Sequence, residues 1–188
     1  MKELEVRFSL ADKKDYLKVI EFLNQNYQFE SENRQIDKYY KERGKETEED
    51  VPGSYIYRFR QVNDLESGVF TRKDTVKPGF WKEDEIVLES QHMDFVKNML
   101  DAGFSNIMTI DKDRKSYVNL EKTRTVNADI VQGLGYYIEI EILGDFSEDD
   151  YDSFVKEIEA EFAFISSEIE TKGYVQLVRE KNERTRDN

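Results

Sequence analysis

Two distant stretches of this chain alternate acid with aliphatic residues, and they constrain its fold more than anything else in the sequence. Near the start runs Glu3-Leu4-Glu5-Val6-Arg7-Phe8, and far downstream Tyr137-Ile138-Glu139-Ile140-Glu141-Ile142. Successive side chains on a strand point to opposite faces. Each stretch therefore asks for a sheet that is apolar on one side and charged on the other. Two carboxylates sharing a face stand about 7 Å apart along a strand, and they offer oxygen ligands to a hard cation.

At 188 residues the chain suits one domain. A net charge of −13 argues against a protein that coats nucleic acid or an anionic membrane. The absence of cysteine removes disulfides, thiolate metal sites and thiol nucleophiles. No apolar run approaches a membrane span, and the strand pattern begins at once, so a soluble cytoplasmic protein is expected.

Helical spacing predicts helices over Asp12–Asn24, from Ser90 to Gly103, and after Ser147. Between them fall about eight strand patterns, including Gln35–Lys41, Tyr55–Val62, Val69–Thr75, Glu85–Ser90, Ile107–Arg114, Ser116–Arg124, Val126–Val131 and Tyr136–Leu143. The charged stretch Glu42–Gly53, closed by Pro52-Gly53, reads as a mobile loop. Gly133-Leu134-Gly135 reads as a tight turn, and Trp81 as a packed loop residue. His92 is expected exposed on the second helix. Residues 1–178 would form one domain, with 179–188 a charged, disordered tail. Most strands bring charged side chains of both signs, with Tyr, Phe, Ile and Leu behind them. The fold class that satisfies this is α+β: an eight-stranded antiparallel closed barrel with a polar tunnel and helices packed outside.

In order along the chain, the charged residues resemble those of the CYTH superfamily, the triphosphate tunnel metalloenzymes. The likeness rests on Glu3-Leu4-Glu5-Val6-Arg7, Asp37-Lys38-Tyr39-Tyr40, Arg58-Phe59-Arg60, Thr71-Arg72-Lys73, Lys112-Asp113-Arg114 with Tyr117, and Asp129 through Gly133-Leu134-Gly135 to Glu139-Ile140-Glu141. It implies an enzyme that takes a small-molecule triphosphate, with Mg²⁺ or Mn²⁺ as cofactor. Glu3, Glu5, Glu139 and Glu141, with Glu89, would hold the metal. Arg7, Arg58, Arg60, Lys73, Lys112 and Arg114 would hold the substrate, and Asp129 would orient a cation. The resemblance is greatest to class IV adenylyl cyclases, which convert ATP to cyclic AMP and pyrophosphate. The alternatives are an inorganic or thiamine-type triphosphatase and a non-catalytic polyphosphate binder. No nucleic acid or membrane partner is implied, and a homodimer is compatible with the sequence. Arg7 stands where the family motif has lysine, Val87 where many relatives keep an acid, and the Glu42–Asp50 insert has no family counterpart.

Overall fold

The computed structural model describes residues 2–63, 68–77, 80–165 and 167–186. In chain order they form β1 (Lys2–Leu10), α1 (Lys13–Asn26), β2 (Gln28–Glu42), β3 (Tyr55–Val62), β4 (Gly68–Lys77), β5 (Phe80–Leu88), α2 (Ser90–Gly103), β6 (Phe104–Val118), β7 (Arg124–Val131), β8 (Gly135–Gly144), α3 (Glu148–Glu161), β9 (Ser167–Glu170) and α4 (Tyr174–Arg186). Asp12 caps α1 by accepting from the backbone N–H groups of Lys14 and Asp15. Gly133 and Gly135 take positive φ in the turn joining β7 to β8, a conformation that costs glycine little.

All nine strands pair antiparallel in one sheet, in the order β5-β4-β3-β2-β6-β7-β8-β1-β9. The expected closed eight-stranded barrel is therefore corrected to an open, rolled nine-stranded sheet. Among the described residues, β1 and β5 overlap where Lys2, Glu3 and Leu4 face Lys82, Trp81 and Phe80. The two strands are staggered, and from Arg7 to Leu10 that edge of β1 pairs instead with β9.

The alternation in sequence sets the two faces. Leu4, Val6, Phe8, Ile138 and Ile140 are buried on the outer face in one cluster with Val19 and Leu23 of α1 and Phe154 and Ile158 of α3. A second cluster sets Met93, Val96 and Leu100 of α2 against Tyr40, Phe59 and Leu88. Glu5, Arg7, Arg58, Lys112, Arg114, Asp129 and Glu139 are buried on the inner face. Their burial makes the inner face a lumen rather than a solvated surface.

Several elements differ from the sequence reading. The separate strands expected at Ile107–Arg114 and Ser116–Arg124 are one long strand, β6, ending at Val118. Trp81 lies in β5 rather than in a loop. A fourth helix, α4, runs to Arg186 through the stretch read as a tail. Its first residues, Tyr174 and Val175, are buried beside Tyr39, Ile56, Ile110 and Tyr137. Among the described residues, no helix is long and apolar enough to cross a membrane.

Ile140 is fully buried where β8 meets the helices. Ile140→Ala should lower unfolding free energy by about 3 kcal/mol in chemical denaturation. A loss under about 1 kcal/mol would show that the outer face does not hold the helices.

Candidate active site

The inner face encloses a cavity of about 450 Å³. Six cations line it, Arg7, Arg58, Arg60, Lys73, Lys112 and Arg114, together with six carboxylates, Glu5, Asp50, Glu83, Glu85, Glu139 and Glu141. All six side chains expected to hold substrate are thus brought to one place.

The acids bring the cations together by pairing with them across neighbouring strands. Arg60 grips Asp37 with two bonds of 2.7 and 2.8 Å. Arg114 grips Asp129 in the same way, at 2.7 and 2.6 Å. Lys112 lies between them, with Nζ 3.7 Å from Asp37 and 3.5 Å from Asp129. Such forks suit the planar guanidinium. Asp37 and Asp129 are fully buried beneath the cavity, and the Tyr174 hydroxyl donates to Asp129 at 2.9 Å. Asp129 therefore contacts two cations of the cavity, Arg114 and Lys112.

Glu139 is shared: Arg7 Nε donates to its Oε1 at 2.8 Å, and Arg114 donates to its Oε2. Arg7 also donates to Glu5, and its guanidinium lies 4.4 Å from the centre of the Tyr174 ring. Arg58 donates to Thr71 at 3.0 Å and to Glu85 at 3.1 Å, yet its buried Nε has no protein acceptor. Lys73 stands 2.5 Å from Glu83 and 3.5 Å from Glu5.

Glu5, Glu139 and Glu141 each bring a carboxylate oxygen within 4.8 Å of the others. Three clustered carboxylates, Glu5 and Glu139 buried and Glu141 half-buried, fit a hard divalent cation. The Glu3 side chain lies outside the described residues. Glu89 is corrected: it sits exposed at the start of α2, accepts from Gln91, and does not line the cavity. Glu83 was missed. Its signal was the alternation Trp81–Glu83–Glu85, which places all three on the lumen face of β5.

Burial and charge shift these groups in opposite directions. Burial pushes the Glu141 carboxyl up to about 7; Arg114 opposes this, while Glu139, Glu5 and Glu83 add to it. Burial also acts to raise Glu139 and Asp37, but their cations win. Arg7 and Arg114 hold Glu139, and Arg60 and Lys112 hold Asp37, well below the usual carboxylate range. Burial and Arg114 pull the Lys112 ammonium down, against Asp129, Glu139 and Asp37.

No family model matches the chain, and no curated protein matches it in sequence. Solved structures do. The PH1819 protein of Pyrococcus horikoshii OT3 is 23% identical with a TM-score of 0.72, over 95% of this chain and 99% of that one. A putative adenylyl cyclase from Hippeastrum, HpAC1, described as revealing a dominant triphosphatase activity, is 14% identical with a TM-score of 0.69, over 96% of each chain. A putative adenylate cyclase from Vibrio parahaemolyticus is 16% identical with a TM-score of 0.65, over 94% of this chain and 97% of that one. The chain has the CYTH fold. At these identities the likeness is one of fold, and the chemistry must be argued from the cavity itself. Within this fold, the chain brings six cations and six carboxylates, three of them clustered, to one cavity.

The shifted carboxyls fix how stability of the metal-free protein depends on pH. Glu141 is raised in the folded state, so its cost appears as pH rises from about 4.5 to about 7. Asp37 and Glu139 are depressed, so their stabilisation is lost as pH falls below about 4. Thermal midpoints measured across pH should therefore peak in the mildly acidic range. Glu141→Gln should flatten the decline between pH 4.5 and 7. An unchanged decline in that variant would remove Glu141 as its source.

Proposed function

We propose that this protein is a divalent-metal-dependent enzyme acting on a triphosphate, and that it releases phosphate by hydrolysis. The observation that carries this reading is the convergence of six cations and a three-carboxylate cluster on one 450 Å³ cavity.

Glu5, Glu139 and Glu141 would hold Mg²⁺ or Mn²⁺, which when bound would draw charge from phosphate oxygens. The protein's own part is to bind and orient. Arg58, Arg60 and Arg114 would offer guanidinium forks to phosphate oxygens, and Lys73 and Lys112 would add point charges. Arg7 cannot accept a proton.

The preference for hydrolysis reverses the order suggested by the sequence. It rests on the Hippeastrum protein, whose dominant activity is triphosphatase. Cyclisation of ATP is the second reading, supported by the cyclase names of that protein and its Vibrio counterpart. Both reactions use the same cations and differ in which phosphorus meets the nucleophile.

Incubation of purified protein with inorganic triphosphate or ATP, with Mg²⁺ or Mn²⁺, separates the readings by product. Orthophosphate is the expected product; cyclic AMP with pyrophosphate would establish the cyclase instead. Glu5→Gln should lower kcat at least about 100-fold, and Arg58→Ala should weaken triphosphate binding about 10-fold in calorimetry. Tight binding without turnover by the wild-type protein under either metal would reduce it to a binder.

A further inference from the structure

The stretch Glu42–Gly53 reads as a mobile loop in the sequence, but it is fastened along its length and brings one acid to the cavity. The Gly53 N–H donates to the Thr75 carbonyl at 2.9 Å, and Arg179 of α4 donates to the Glu46 carbonyl at 2.7 Å. Lys41, just ahead of the stretch, is 4% exposed. Its ammonium donates to the Glu48 carbonyl at 2.6 Å and stands 3.0 Å from Asp50. Asp50 lines the cavity beside Gly173, Tyr174 and Gln176 at the entry to α4.

Strand register shows how this pair lies relative to the cations of the lumen. On the lumen face of β2, Asp37 and Tyr39 stand opposite Arg60 and Arg58 of β3, and Lys41 is the next residue on that face. On β3, Ile56 follows Arg58 on the lumen face and stands opposite Lys73 of β4. The cations Arg60, Arg58 and Lys73 therefore lead toward Lys41. There the series ends, because Asp50 already neutralises the Lys41 ammonium. A phosphate chain held by Arg58 and Lys73 and extended this way meets a carboxylate where a further cation would have stood. Like charges a few ångströms apart repel, and the walls of a cleft strengthen that repulsion relative to open water.

We propose that Asp50 sets the length of phosphate chain the cavity accepts, admitting three phosphates and rejecting linear chains of four or more. This inference rests on the triphosphate reading of the cavity and adds a specificity-determining residue to it. Asp50 acts twice, by repelling a fourth phosphate and by occupying the buried lysine that would have bound it. Its removal exchanges a repulsive group for an uncommitted ammonium.

Calorimetric titration of the full chain with inorganic triphosphate and inorganic tetraphosphate, Mg²⁺ present, tests this. Wild-type protein should bind the triphosphate about 10-fold more tightly than the tetraphosphate. Asp50→Asn, which keeps the shape of the side chain, should raise tetraphosphate affinity about 10-fold and move triphosphate affinity less than about threefold. Adding Lys41→Met to that variant should remove the gain, and retained triphosphate affinity shows that both variants are folded. Glu49→Gln makes the same change in net charge at an exposed neighbour and should leave the preference for triphosphate as it is. The length limit is overturned, with the triphosphate reading left standing, if wild-type protein binds the two chains equally. It is also overturned if Asp50→Asn strengthens both in equal proportion, or if Glu49→Gln gives the same gain. If neither chain binds wild-type protein, the functional reading falls and the length limit with it.

Discussion

Pairing of opposite charges between neighbouring strands is what allows this sheet to roll around its own charged face. Removing a charge from water costs several kcal/mol, and an unpaired one would neutralise or keep the strands apart. Here Asp37 on β2 answers Arg60 on β3, Asp129 on β7 answers Arg114 on β6, and Lys112 stands between the two acids. Glu139 on β8 answers cations from β1 and β6 together. These pairs follow the strand register: Asp37 lies opposite Arg60, Arg114 opposite Asp129, and Arg7 opposite Glu139. The pairing that builds the sheet therefore also neutralises the lumen.

A lumen neutral by exchange can admit a ligand that carries both signs. A bare polyanion would recruit the cations and leave Glu5, Glu139 and Glu141 buried without partners. A bare divalent ion would take those acids and leave Arg7 without a carboxylate partner. A triphosphate accompanied by divalent ions would replace both sets of partners at once, since its negative charge and theirs nearly cancel. The depressed carboxyls of Glu139 and Asp37 and the raised carboxyl of Glu141 have the same origin, as each records how fully its charge is matched before any ligand arrives.

The two faces of the sheet were legible in the sequence because strand alternation is local: Leu4, Val6 and Phe8 had to part from Glu5 and Arg7, and they do. The Gly133–Gly135 turn was legible for the same reason. The seam was not, because the short pairing of β1 with β5 among the described residues, and the capture of Arg7–Leu10 by β9, depend on stagger accumulated over the whole sheet. Glu83 escaped because β5 was read as starting at Glu85, after a turn that continues as strand from Phe80. Helix α4 escaped because its charges find backbone acceptors: Arg179 donates to the Glu46 carbonyl at 2.7 Å, and Lys181 to that of Gly133. Composition shows the charge of Arg179 and Lys181 but not the carbonyls awaiting them.

Arg7 shows why a substitution within a motif has to be read through its contacts. A lysine there would offer one ammonium. Arginine spreads its donors over Glu5 and Glu139, reaches the Lys172 carbonyl just ahead of α4, and lays its plane against Tyr174. Tyr174 in turn donates to Asp129, which holds Arg114. One guanidinium thus joins β1, β8 and the chain entering α4 into a single hydrogen-bonded assembly, a geometry one point charge cannot reproduce. Arg7 in this way orders the acids of the carboxylate cluster against the chain entering α4.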